Sequence, residues 1–360
     1  MSADTRLMLS VFPSFVVGGA QVRFVRLAES LGDAWRHAII AMDGATACAE
    51  RLPPGLDVTY PVVAVRKGDT VGNVRRFRAL LRTLRPDLLV THNWGSIEWA
   101  MANITGLVRH VHIEDGFGPE ERARQIGRRV WTRRLVLRRA TVVLPSRTLE
   151  RIAAEVWRLP RGRIRYVPNG IDLARYAARQ GKRGDPPVIG TVAALRPEKN
   201  LARLIGAFAR VLERRPARLA IVGDGPERAA LEALARNRGV AGAVTFHGQQ
   251  ADPAPFYQGF DLFALSSDTE QMPLSVLEAM GTGLAVAATD VGDVRAMLAP
   301  ENAPLVVERD ESSLAAAILA ALANPEACDA MGRANRRRAE QEFDAATMIE
   351  RYGAIFAGTG

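Results

Sequence analysis

The chain has 360 residues and a mass of 39.1 kDa, too long for one ordinary domain and comfortable for two. Hydrophobic residues at 48% and charged ones at 24% exclude wholesale disorder, and two distant cysteines, Cys48 and Cys328, exclude a disulfide framework or a cysteine-rich zinc module. The net charge of +9 is uneven: residues 1–180 carry 29 basic and 16 acidic side chains, residues 181–360 carry 19 and 23. A basic amino-terminal half suggests an anionic partner, although 45 arginines among 48 basic residues are also what a GC-rich coding sequence produces.

Apolar, β-branched runs predict strands at 6–12, 36–42, 58–63, 87–91, 107–113, 141–144 and 164–168. Helical patterns lie between them at 20–32, 70–84, 96–105 and 147–155. A second series follows, with strands at 188–193, 218–222, 244–246, 262–265, 285–288 and 305–307 and helices at 201–214 and 226–238. From 312 onward the pattern is almost wholly helical, and its last segment, 345–356, places Met348, Ile349, Tyr352, Ile355 and Phe356 at helical spacing. Strands alternating with helices mean parallel sheets covered on both faces. The fold class is therefore α/β, with two doubly wound, Rossmann-like domains, 1–177 and 187–342, joined by the polar stretch A-R-Q-G-K-R-G-D-P-P at 178–187. No run of 18 apolar residues occurs and the start lacks the pattern of a secretory signal, so a cytoplasmic protein is expected, soluble or peripheral.

In open α/β sheets ligands sit outside the carboxyl ends of the strands, and four loops there carry chemistry. After the first strand, Gly18 and Gly19 directly precede a helix, where paired glycines let backbone N–H groups approach a phosphate; a tight strand-to-helix turn explains them too. Neither a dinucleotide fingerprint nor a P-loop is present. After 188–193, the segment A-L-R-P-E-K-N-L sets Arg196 and Lys199 before a helix N-terminus, unfavourable unless an anion lies between them. With only three lysines in the chain, Lys199 stands out, though a solvated loop remains open.

The third loop is S-S-D-T-E-Q-M-P-L-S-V-L-E-A-M-G-T-G, with Glu270 in the loop and Glu278 about one turn into the following helix. Carboxylates suit hydroxyl-rich ligands, and the N–H groups of Met272, Leu274 and Ser275 are first-turn donors fit for a phosphate or developing negative charge; capping by Glu270 is the plain alternative. The fourth, R-H-V-H-I-E-D-G, places His110, His112 and Glu114 on one strand face with Asp115 beyond. A metal site is one reading, but no fourth ligand has suitable spacing, and a polar wall with one functional histidine fits better.

Taken together, these segments resemble the family-4 retaining glycosyltransferases of the GT-B fold, over essentially the whole chain. The most specific part is Glu270 and Glu278 separated by seven residues and followed by A-M-G-T-G. R-P-E-K-N at 196–200, V-G-D-G-P at 222–226, F-H-G at 246–248 and V-P-N-G-I-D at 167–172 are similar to that family in order. Gly-Gly-x-Gln at 18–21 stands where the family has Gly-Gly-x-Glu, and Asp115 stands where many relatives have a second histidine.

The resemblance implies two domains facing across a cleft, with the helix of 345–360 crossing back onto the first. It implies that Arg196 and Lys199 hold the donor's diphosphate, Glu278 the ribose and Glu270 the sugar hydroxyls. Gly18, Gly19 and Gly223 would lie against the phosphates, and His247, Gly248 and Gln249 would face the base. His112 would contact the transferred sugar, and Asp115 would act as acceptor base or as a plain carboxylate. No metal and no cofactor are implied beyond a UDP- or GDP-linked sugar as substrate, UDP ahead of GDP. Retention of configuration follows from the resemblance alone.

The segment 122–139 holds eight arginines around two apolar stripes, and a second cluster, Arg75, Arg76, Arg78, Arg82 and Arg85, lies on the helix before Pro86. An anionic membrane surface is the preferred partner for 122–139, ahead of an acceptor phosphate or a plain solvated face; nucleic acid is not, since no aromatic stacking surface accompanies the charge. The sequence thus predicts a retaining, metal-independent hexosyltransferase at the inner membrane face, acting on a lipid-linked, lipopolysaccharide or polysaccharide acceptor. A nucleotide-sugar 2-epimerase and a non-catalytic nucleotide-sugar-binding module are the alternatives.

Overall fold

The computed structural model describes residues 5–121, 124–181 and 184–359. By its internal contacts the chain divides into two compact units, Met1–Pro168 with Met348–Gly360, and Asn169–Thr347. The stretch 178–187, of which 182 and 183 lie outside the described residues, belongs to the second unit.

The first unit contains β1 (Arg6–Phe12), α1 (Gly19–Leu31), β2 (Trp35–Ala41), β3 (Val58–Thr59), α2 (Thr70–Leu84), β4 (Leu88–His92) and α3 (Ile97–Ala102). It continues with β5 (Arg109–Ile113), α4 (Gly127–Val136), β6 (Thr141–Leu144), α5 (Arg147–Glu155) and β7 (Ile164–Tyr166). Its seven strands are all parallel, in the order β3-β2-β1-β4-β5-β6-β7. Alternation along each strand feeds two cores. Leu9, Val11 and Leu89 join Phe77, Leu81 and Trp99 on one face. Met8, Leu88, Val90 and Val111 face the other way and are covered by Met348, Tyr352, Ile355 and Phe356.

The second unit contains β8 (Val188–Val192), α6 (Leu201–Leu212), β9 (Arg218–Val222), α7 (Arg228–Asn237), β10 (Val244–Gly248), α8 (Ala254–Gln258) and β11 (Leu262–Leu265). Then come α9 (Leu274–Thr282), β12 (Val286–Thr289), α10 (Val294–Met297), β13 (Val306–Val307), α11 (Glu311–Ala323) and α12 (Pro325–Glu342). The last helix, α13 (Ala345–Ala357), supplies the four residues just named to the first unit's core. The six strands of this sheet are also parallel, ordered β10-β9-β8-β11-β12-β13. Both units are thus doubly wound, as the strand–helix alternation predicts.

Where boundaries moved, the cause is local. The predicted strand at 58–63 stops at Thr59, because Pro61 has no N–H to give a ladder, and Val62 is almost fully exposed. The helix predicted to run to 105 stops at Ala102, where the Asn103 side chain donates to Val108 O and accepts from Val108 N–H. Among the described residues no single helix is long and apolar enough to cross a membrane, and only α11 with α12, bent by 103°, passes as a pair.

Three histidines of the first unit are buried and neutral. Burial holds His37 down at about 4 against the opposing field of Asp57, and burial with His112 beside it holds His110 at about 3. Burial, with Arg23 and His112 adding to it, drives His92 well below its ordinary value. The unfolded chain takes up protons near pH 6.5 and the folded chain does not. Stability therefore falls as pH drops from about 6.5 toward 4, by about 1.4 kcal/mol per pH unit for each histidine. Urea melts between pH 7 and 4.5 check this; a midpoint that stays flat or rises on acidification contradicts it.

Candidate active site

In the second unit the chain leaves β8 toward β9 and β10 on one side and returns to β11 on the other, so the loops after β8 and β11 diverge at a switch point. Side chains stitch them together. Lys199 Nζ lies 2.6 Å from Glu270 Oε1, which also accepts from Ser267 Oγ at 2.7 Å. Ser266 donates to Lys199 O, the Asp268 N–H donates to Glu198 O, and Asn200 and Arg203 both donate to Asp268. Asn200 also caps α6 through Arg203 N–H. Among the described residues Glu270 Oε2 has no partner, and the exposed Arg196 side chain has none either.

Glu278 stands one turn into α9, accepting from Tyr257 OH at 2.6 Å. Tyr176 is a second neighbour, and burial followed by the Glu278 charge raises both phenols above the ordinary range. α9 begins at Pro273 with no capping side chain, so the N–H groups of Leu274 and Ser275 have no acceptor among the described residues. Met272 is buried and anchored, its carbonyl accepting from Asn169 Nδ2. Gly292 packs beneath Glu270 with φ +56°, and a Cβ there would meet Glu270 O at 2.2 Å. A Cβ on Gly223, at φ +135°, would meet Ala193 O at 1.9 Å, so the loops after β8 and β9 touch only because this residue is glycine. His247 is exposed at the end of β10, its ring edge-on to Phe256, and Gly248 follows with φ +72°.

In the first unit the switch point lies between β1 and β4. Gly18 is extended and uncapped before α1, whose first turn carries no acidic residue. Arg23 on α1 reaches over β4 to Asp115, 2.7 Å away, and both lie near the Tyr352 ring. Burial opposes the Arg23 charge, but Asp115 and Tyr352 outweigh it and keep the guanidinium firmly protonated. Asp115 N–H is held by Asn93 Oδ1 at 2.7 Å. His112 is fully buried: its Nδ1 shares the Thr91 hydroxyl with His110 Nε2, both at 2.8 Å, while Nε2 faces Glu114 Oε2 at 3.5 Å. The alternation predicted for 110, 112 and 114 is present, yet among the described residues no three His, Cys, Asp or Glu side chains are placed to hold a metal ion.

Residues 17–175 match Glycosyltransferase Family 4 and residues 174–338 match Glycosyl transferases group 1, which together cover most of the chain. The chain belongs to the family-4 glycosyltransferases. A D-inositol 3-phosphate glycosyltransferase of Nocardia farcinica is 28% identical over 66% of this chain and 58% of its own length. A GDP-mannose-dependent α-(1-6)-phosphatidylinositol monomannoside mannosyltransferase of Mycolicibacterium smegmatis is 30% identical over 55% of this chain and 57% of its own. The chain thus spans about three fifths of the length of these two curated relatives. A solved structure of Anabaena HepE in complex with UDP aligns with a TM-score of 0.80 at 18% identity, covering 98% of this chain and 100% of that one. That likeness shows the GT-B fold.

Several residues of this family-4 chain were not singled out by its motifs. Tyr257 and Tyr176 hold Glu278, Arg23 holds Asp115, and Gly292 supports the Glu270 loop. Each partner is distant in sequence and carries no motif of its own. The arginine segment 122–139 needs correction. Arg122 lies outside the described residues, and Arg133 is not on the surface at all. It is fully buried among Trp94, Phe117 and Trp157, with its guanidinium on Glu114 and doubly on Glu121. Arg129 pairs with Glu120 and Glu121, and Arg134 donates to the carbonyls of Val156 and Trp157. Local structure absorbs these charges because the acidic partners sit at 114–121, just ahead of the arginines.

Removing Arg133 takes the guanidinium from the buried Glu114 and leaves Glu121 with Arg129 alone, a loss of about 3–5 kcal/mol. Arg133→Gln is therefore expected to lower the unfolding midpoint sharply, while Arg128→Gln, on the exposed side of α4, leaves it in place. Equal midpoints for the two variants in thermal melts refute the buried ion-pair assignment.

Proposed function

We propose that this chain is a retaining hexosyltransferase that moves a sugar from a nucleotide diphosphate to an acceptor hydroxyl. The observation that carries the proposal is the arrangement around Lys199, Glu270 and Glu278, where cations, uncapped N–H groups and two fixed carboxylates converge on one switch point. The bond broken joins the sugar's anomeric carbon to the β-phosphate oxygen, and negative charge grows on the departing diphosphate. Arg196, Lys199 and the N–H groups of Leu274 and Ser275 offset it, work otherwise done by a divalent ion. Glu270 is held through Oε1, leaving Oε2 for sugar hydroxyls. Glu278 accepts the ribose hydroxyls in an orientation fixed by Tyr257, and Gly223 and the His247–Gly248 turn admit the phosphates and base. On the first unit, Gly18 and Gly19 at the uncapped start of α1 offer N–H donors to a phosphate.

The first unit takes the acceptor. Asp115, already balanced by Arg23, orients the acceptor hydroxyl with Oδ2, which has no hydrogen bond among the described residues. His112 contributes Nε2, which has no hydrogen bond among the described residues. We take UDP ahead of GDP as the donor nucleotide, a reading supported by the aligned Anabaena structure, which holds UDP, while the GDP-mannose-dependent relative matches over 55% of this chain. The acceptor is a lipid-linked glycan or envelope polysaccharide, and the basic face of the first unit meets an anionic membrane.

A thermal-shift panel of UDP, GDP, ADP and their sugars in chelator tests the donor. A ligand at 100 times its Kd adds about 2.7 kcal/mol, a shift of several degrees. Lys199→Ala and Glu278→Ala are each expected to weaken the preferred nucleotide about tenfold or more, by loss of a charge-assisted hydrogen bond. A shift only with magnesium present sinks metal independence. Wild-type affinity in both variants removes these residues from the donor site.

A further inference from the structure

The basic face of the first unit contains a cavity that the donor and acceptor roles leave unused. It lies at the amino ends of β5, β6 and β7, opposite the strand ends that carry His112 and Asp115, and encloses about 330 Å³. Arg109, Arg139, Arg163, Arg165 and His110 line it, and among the described residues no carboxylate does. Arg109 is crowded as a cation: burial first, then Arg6, lower its pKa against the pull of Asp87. Its guanidinium donates to the carbonyls of Ile355 and Phe356, and that of Arg139 donates to Thr105 O. These acceptors carry no formal charge, and among the described residues the Arg163 side chain has no hydrogen bond or ion pair. Concentrated positive charge in a concavity whose described lining includes no carboxylate is a site for an anion.

What surrounds the cavity narrows the anion's source. On α4 the exposed residues Arg128, Trp131 and Leu135 recur at helical spacing and run on to Arg138, with Trp131 and Leu135 showing 66% and 62% of their surfaces. The 103–108 loop, which lines the cavity through Asn103, Gly106 and Val108, presents Ile104 and Leu107, also exposed. Arg139 ties that loop to the end of α4, and Arg78 on α2 ties it from the other side through Ala102 O and Thr105 Oγ1. Arg134 lies over the Trp131 ring at 4.5 Å. Apolar side chains with arginines among them, around a cationic hollow, suit the boundary between headgroups and acyl chains.

We propose that the cavity between Arg109, Arg139 and Arg163 receives the phosphate of an anionic phospholipid while Ile104, Leu107, Trp131 and Leu135 enter the interface around it. This deepens the membrane part of the proposed function and rests on it; it does not depend on the donor chemistry of the second unit. Arg128 on α4 and Arg138 just beyond it, both exposed, then supply long-range attraction, and the cavity supplies the fixed contact.

Sedimentation of the full chain with phosphatidylcholine vesicles, with and without phosphatidylglycerol, tests this. Wild type is expected to bind only the anionic vesicles. Arg139→Gln/Arg163→Gln should weaken that binding by about fivefold per arginine. Trp131→Ser/Leu135→Ser should weaken it by a comparable factor. Both variants should keep wild-type melting midpoints and nucleotide-induced shifts, which separates this test from the donor proposal. No vesicle binding by wild type overturns the membrane reading and the cavity together. Unchanged binding in the arginine pair overturns the cavity alone. A thermal shift with inorganic phosphate that the arginine pair abolishes, without vesicle binding, assigns the cavity to a soluble anion and overturns the lipid.

Discussion

The second unit depends on one short ion pair. The order of its sheet drives the loops after β8 and β11 apart, and Lys199 and Glu270, 2.6 Å from each other and only partly exposed, draw them back together. A partly solvated pair of this kind adds little net stability. Its value lies in geometry: the pair presents a cation and a free carboxylate oxygen side by side before any ligand arrives. Ser267 fixes the carboxylate, Gly292 lets the next loop lie beneath it, and Asp268 with Asn200 and Arg203 braces the far side. Reaching the reactive arrangement then requires little rearrangement on binding.

The first unit solves a similar problem with charges placed deeper. Arg23 crosses from α1 to Asp115 over β4, and Arg133 is sunk between Glu114 and Glu121 beneath three aromatic rings. Such pairs are costly to desolvate and severe to break. They fix the segment of 114–121, which follows β5 and holds only a short 3-10 turn at Pro119–Glu121. The arginine-rich sequence of this unit is therefore of two kinds. Some arginines are internal braces, and others, at Arg128, Arg138, Arg139 and Arg163, remain outside as a charged surface.

Most of the fold was legible because both sheets are parallel and buried on both faces, which writes each strand as a short apolar run between helical periods. Strands at 6–12, 141–144, 218–222 and 262–265 and helices at 70–84 and 147–155 coincide with the observed elements. The loops after β8 and β11 could be singled out as candidates because their residues are close in sequence: Arg196 with Lys199, and Glu270 with Glu278. What stayed hidden was long-range. Nothing local says that Tyr257 bonds Glu278, that Arg23 answers Asp115, or that Arg133 turns inward while Arg128 turns out. The cavity at the amino ends of β5 to β7 was invisible for the same reason, since its arginines come from three separate segments.

The central claim is that the nucleotide sugar docks on the second unit's switch point. Amide hydrogen exchange with and without UDP or GDP, in chelator, tests it most directly, since first-turn N–H groups that gain an acceptor exchange more slowly. Protection is expected at 194–200, 222–226, 246–249 and 270–278, and only with the nucleotide that the chain prefers. Protection confined to other segments, or none with either nucleotide, contradicts the claim.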